Sequence, residues 1–385
     1  MTKPVKNFLS TDTGAPALSG SAGALIAILD ACLVNGYNQQ TLTTLVVSGG
    51  VLTGTKTAHG FRADQVLKIG GANEAQLNIE IVVDSVTTDN FSATVTGISD
   101  VTGTGTITAK VAPAGWNKVY TGTNKAVYRS AAAEAHCYLR IDDSGTTVAR
   151  VVAYETMSGV DTGTGPMPTA AQVSGGAYWG KSYTADSTAR AWVLVADNLL
   201  FHVGRYTYST YTYSWSWDHF GQFTSTKQSD GYDYLITGMM TSPNGMQNTG
   251  YSPLTFSSGE YSAGGCGRIW VARSYTQLGS AVVGTIYSLN FNTTTPSGLF
   301  TSNVVSPSPA SNEALLLCPP ILTESNVVRA LAIPGLFHSL LYMPSSHLAV
   351  HSDVNGLSGR KVLVCNAGLA SWLPRFCFDI TGPWR

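Results

Sequence analysis

The stretch "AWVLVADNLLFHVG" (residues 191–204) decides how this chain folds. Two apolar runs flank Asp197 and Asn198, residue types that tolerate the backbone conformations of a tight turn. It therefore reads as a β-hairpin. Just upstream, "GGAYWGKS" (175–182) fits the phosphate-loop pattern G-x-x-x-x-G-K-[ST] at Gly175, Gly180, Lys181 and Ser182. In a nucleotide-binding reading Asp197 would help to hold Mg²⁺. A phosphate loop, however, needs a buried strand before it and a helix that starts at the Lys-Ser pair. Here "GTGPMPTAAQVS" precedes the loop with two prolines, and only nine residues separate Ser182 from Trp192. A helical crossover to a parallel strand takes roughly a dozen residues or more. The hairpin reading makes Asp197 a turn residue and leaves the glycines as a loop leading into β-structure.

Composition points the same way. Charged residues are 12% of the 385, roughly half the usual ~25%. The net charge of −1 provides no bulk attraction to nucleic acid or acidic membranes. Such a chain stays soluble through surface hydroxyls or through burial in an assembly. Six cysteines (Cys32, Cys137, Cys266, Cys318, Cys365, Cys377) are scattered without a C-x-x-C, as expected of free thiols in a reducing cytosol. "AGALIAILDACLV" (22–34) follows two lysines, but Asp30 lies inside it and 13 residues are too few to span a bilayer. It predicts a short amphipathic helix after Ser21, ended by Asn35-Gly36.

The rest reads as short strands broken by Gly, Asn, Asp, Ser and Pro. Five strand-like segments recur in 42–111: "TLVVSGGVLT", "QVLKIGG", "NIEIVVDSV", "DNFSATVTG" and "GTITAKVA". Apolar residues alternate at Ile79, Ile81, Val83, at Phe91, Ala93, Val95, and at Ile107, Ala109, Val111. The expected fold class is mainly β: a sandwich- or barrel-like main body with a short N-terminal helix and an inserted small β-barrel domain. The N-terminal segment 1–41 belongs to the main body, 42–111 is the insertion with its ends close together, and 112–385 completes the body. "HCYLRIDDSGTTVARVVAYETM" predicts a hairpin that turns at Asp142, Asp143, Ser144 and Gly145.

Candidate chemistry is sparse. His347, His351 and Asp353 lie in a strand-and-turn context that does not favour chelation. Ser358 and Lys361 match S-x-x-K without a supporting helix. His59 falls in a loop, and Asp142 and Asp143 are explained by their turn. No catalytic residue, cofactor or metal site is expected. The most unusual stretch is "RYTYSTYTYSWSWDHF" (205–220), with aromatics alternating at Tyr206 and Tyr208, then at Tyr211, Tyr213, Trp215 and Trp217. The shift of phase at Ser209-Thr210 predicts a turn or bulge. These six aromatics are candidates for a packing or subunit interface, or for glycan contact. Arg205 is the one lysine or arginine between residues 191 and 226, so nucleic acid is not expected.

"FLSTDTGAPALSGSAGALIAILDACLVNGYN", "APAGWNKVYTGTNKAVYRS", "GGAYWGKSYTADSTARAWVLVADNLLFHVG" and the ending "CFDITGPWR" together resemble minor virion structural proteins of tailed bacteriophages. Segment 42–111 resembles a small β-domain of phage structural proteins, with "TAHGF" and "GTGTITAK" among the residues that carry the likeness. The resemblance implies a virion component made in the host cytoplasm, on the tail, collar or baseplate. Its partners would be other virion proteins and further copies of itself in a symmetric assembly, with no nucleic acid, membrane or enzymatic role. A capsid-decorating protein and a carbohydrate-binding receptor module are the alternative expectations.

Overall fold

The computed structural model describes residues 5–207, 215–241, 267–287, 317–339, 346–352, 354, 356–366 and 375–385. The protein is mainly β, with a curled half-barrel sheet and one short helix.

The hairpin at 191–204 is present: Trp192–Ala196 pairs antiparallel with Leu200–Tyr206. Its turn differs from expectation by one residue. The Asp197 amide reaches Leu200 O at 3.0 Å, so Asn198 and Leu199 are the central pair. Neither has a positive φ. The turn closes instead through the Asp197 carboxylate, which accepts the amides of Leu199 (2.8 Å) and Leu200 (2.7 Å). A side chain that bonds its own turn removes the need for left-handed backbone.

This hairpin sits within a sheet of 14 strands among the described residues. One path runs Lys6–Leu9, Trp192–Ala196, Leu200–Tyr206, Trp215–Gln222 and Tyr234–Met239. It continues through Ala177–Gly180, Val148–Tyr154, Tyr138–Asp142 and Lys125–Ser130 to Trp116–Gly122. The other edge of Tyr234–Met239 carries Gly267–Val271, then Val282–Tyr287, Ile321–Glu324 and Val327–Ala330. A five-stranded sheet that includes Leu336–Ser339, Arg375–Asp379 and Val362–Asn366 covers one face. The helix Ala24–Leu29, continued by the π-turn Asp30–Asn35, packs into the core on the other face. With both faces covered, every residue of Trp215–Gln222 is buried, polar ones included. The predicted helix boundary holds, with Gly36 at φ 73° ending it.

The insertion closes into a ring of six antiparallel staves: 37–48, 51–55, 90–94, 80–86, 66–72 and 101–111, the last returning to the first. The long staves bend between a four-stranded and a five-stranded sheet. Two departures from the sequence reading follow. "TLVVSGGVLT" is a hairpin turning at Gly49 and Gly50 (φ 57° and 80°), which adds a stave. Pairing also begins at Tyr37 rather than at residue 42, opposite Val111. The predicted alternation points inward, burying Ile81, Val83, Phe91, Ala93, Val95, Ile107, Ala109 and Val111. Gly54 lies opposite Phe91, and a Cβ there would sit 2.2 Å from the ring. The barrel is docked on the body by Lys6–Glu80 (2.8 Å), Arg62–Asp12 (2.7 Å) and Lys361–Asp64 (2.5 Å).

Candidate functional site

Among the described residues, one group of buried polar side chains lies where the large sheet forks. Strands Trp215–Gln222 and Ala177–Gly180 share one edge of Tyr234–Met239, and the first ladder stops at Phe220–Ile236. Beyond that point side chains replace backbone pairing. The Thr237 hydroxyl accepts the His219 amide (2.9 Å) and donates to Asp218 Oδ1 (3.1 Å). The Trp179 indole donates to Thr237 O at 2.6 Å. Asp218 pairs with Arg205, and both side chains are fully buried. The Arg205 guanidinium lies 5.6 Å from the centre of the Trp179 ring.

On the opposite face of the same strands, His202 and His219 stand directly across from each other. His202 donates through Nε2 to Pro334 O (3.1 Å), so its Nδ1 accepts from His219 Nδ1 at 2.6 Å. Burial holds His202 down to about 3 and pushes His219 well below the ordinary histidine value, with the nearby His202 and Arg205 adding to the effect on His219. Both are neutral at physiological pH.

The predicted aromatic ribbon divides. Tyr208, Tyr211 and Tyr213 lie outside the described residues. Trp217 is fully buried, its indole donating to Asn366 O (2.8 Å) and its ring against Phe378 and Phe376 at 4.9 and 5.6 Å. Trp215 is 5% exposed, between Tyr206 and His347. Neither tryptophan offers a face to a glycan or a second chain. They fill the seam between the two sheets, because the alternation that set them on one face also set that face under the C-terminal sheet.

The phosphate-loop match is filled by the protein itself. Arg150 donates to the carbonyls of Ser174 and Gly176, so the loop presents oxygens to a cation, the reverse of a phosphate cradle. The amides of Lys181 and Ser182 are both taken by Thr147 O. Lys181 is fully buried and donates to Asp143 Oδ1, to Ser21 O (2.8 Å) and to Gly145 O (2.7 Å). Asp143 Oδ2 accepts the amides of Leu25 (2.8 Å) and Ile26 (3.1 Å) at the start of the helix. Burial pushes the Asp143 carboxyl above its ordinary range, against the pull of Lys181 and the two amides. The sequence gives this carboxylate a turn role only. Its partners are 118 and 38 residues away, and no local pattern signals them.

The remaining candidates are also structural. Asp197, held in its turn, pairs with Arg385. His59 Nε2 donates to Thr87 O (3.0 Å) and Asn90 O (3.1 Å), while Nδ1 accepts the Phe61 amide (2.9 Å). His347 Nδ1 accepts the Asn366 amide at 3.1 Å, and Lys361 is the barrel's partner through Asp64. Asp353 lies outside the described residues. Among the described residues no cluster of His, Cys, Asp and Glu could hold a metal ion. An open cleft of about 350 Å³ beside the C-terminus is lined by Phe337, Ser358, Arg360 and Trp384 among others.

No family model matches the chain, and no curated protein matches it. Among solved structures it is similar to the phage phi92 endosialidase, at 10% identity and a TM-score of 0.18, over 90% of this chain and 52% of that one. The chain thus spans about half the length of that protein, and a likeness so slight carries no inference about activity.

Proposed function

We propose that this chain is a structural component of a tailed-phage virion, on the tail, collar or baseplate, and that it acts by assembling with other virion proteins rather than by catalysis. One observation supports the reading most. The stretches that carry the sequence resemblance, far apart in the chain, meet in one connected core. The Trp116 indole donates to Asp197 O (3.2 Å), and that of Trp192 donates to Pro16 O (2.9 Å). Lys181 reaches Ser21, and Trp384 packs on His202 at 5.4 Å. The resemblance therefore falls on residues that jointly build a fold. The recognisable polar groups are spent on each other inside it, as suits a scaffold.

Mass spectrometry of purified particles tests the assignment. The chain is expected at a fixed ratio to the major tail proteins, and its absence from intact particles overturns the proposal. The burial of Trp215 and Trp217 argues against glycan recognition through these two rings.

A further inference from the structure

Lys181 and Asp143 form a buried pair whose surroundings suit more than electrostatic attraction. Both side chains are 0% exposed, and Nζ is in hydrogen-bond contact with Asp143 Oδ1. The other carboxylate oxygen faces two converging backbone amides, those of Leu25 and Ile26. The remaining protons of Nζ point at two carbonyls, those of Ser21 and Gly145. We propose that Lys181 and Asp143 condense to an intramolecular isopeptide bond, Nζ to Cγ, releasing one water.

The steps balance without any co-reactant. The ammonium first passes a proton to Oδ1, giving an amine beside a carboxylic acid. Burial drives the Asp143 carboxyl upward, which lowers the cost of that transfer. The Nζ lone pair then attacks Cγ, and the carbonyl electron pair moves onto Oδ2. The amides of Leu25 and Ile26 stand where that oxyanion develops. Nζ gives a second proton to the Oδ1 hydroxyl, the Cγ–Oδ1 bond breaks, and Oδ1 leaves as water while the Cγ–Oδ2 double bond reforms. One C–N bond is made and one C–O bond is lost, with no change of oxidation state. Holding the two groups in contact supplies an effective molarity that reaches about 10⁵–10⁸ M in well-oriented cases. Exclusion of water from the site opposes the reverse hydrolysis.

Intact-mass measurement of the purified chain decides the matter. The expected mass is one water below that of the sequence. Trypsin should fail to cut after Lys181, and the digest should contain a branched peptide that joins residues 141–150 to 151–190. Lys181→Arg and Asp143→Ala variants are expected at their full sequence masses. A wild-type chain at full mass and cut after Lys181 overturns the proposal, as does a lost water that maps elsewhere. The wild-type result stands even if neither variant folds.

Discussion

A histidine kept neutral between two sheets makes stability depend on acid. Burial holds His202 at about 3 and His219 well below its ordinary value, whereas in the unfolded chain both titrate near 6.5. A depressed folded value means that the stabilisation is complete above about pH 6.5 and is lost as pH falls toward about 3. Each histidine contributes a slope of about 1.4 kcal/mol per pH unit in that window. His136 works in the opposite direction: its hydrogen bond to Asp233 raises its value, so its contribution is present at low pH and lost as pH rises. With two groups against one, urea midpoints are expected to fall between pH 7 and pH 5. The double variant His202→Phe, His219→Leu should flatten that dependence, and equal slopes in variant and wild type would contradict the assignment. The Arg205–Asp218 pair is a second test at this scale. Arg205→Met removes the counter-charge of a fully buried carboxylate and should cost about 3–5 kcal/mol in equilibrium unfolding, of which Arg205→Met with Asp218→Leu should recover a large part.

Among the elements, the barrel should be separable. Among the described residues its staves pair only with one another, and its two ends meet at Tyr37 and Val111. Residues 37–111 expressed alone are expected to melt cooperatively with a dispersed amide spectrum; a collapsed spectrum would show that the body is needed to fold it. Within it, Gly54→Val drives a side chain into the Phe91 ring and should cost about 1–3 kcal/mol by overpacking. These elements also show what could be read in advance. Alternation at Phe91, Ala93 and Val95 gave the inward face directly, because one stave has one buried side. The extra stave was hidden because Gly49 and Gly50 turn the chain inside an apolar run. The turn at Asn198 and Leu199 was misplaced by one residue because Asp197 acts through its carboxylate rather than its backbone. The polar fork was illegible altogether. Trp179, Arg205, Asp218 and Thr237 come from four strands, and only the tertiary pairing brings them together.

At the scale of the whole molecule, the large sheet is a middle layer, and the seam on its C-terminal side depends on a few large rings. Trp217→Ala should cost about 3–5 kcal/mol, because the ring spans the space to Phe376 and Phe378 and lies against Gly204, which has no side chain to fill the space it would leave. The edges of the large sheet are protected by different means. The strand Trp116–Gly122 carries a bulge between Lys118 and Tyr120, while Lys6–Leu9 is covered by the barrel, whose Arg62 donates to Asn7 O at 2.9 Å. The paired ends of the barrel also have a mechanical meaning. Tension along the chain would enter the ring at Tyr37 and leave at Val111, neighbours across a ladder, and so peel their strands apart one hydrogen bond at a time. The bridges Lys6–Glu80 and Arg62–Asp12 carry load around that weak point. Once they part, the ring can pay out roughly 250 Å of extended chain while the layers behind it stay folded.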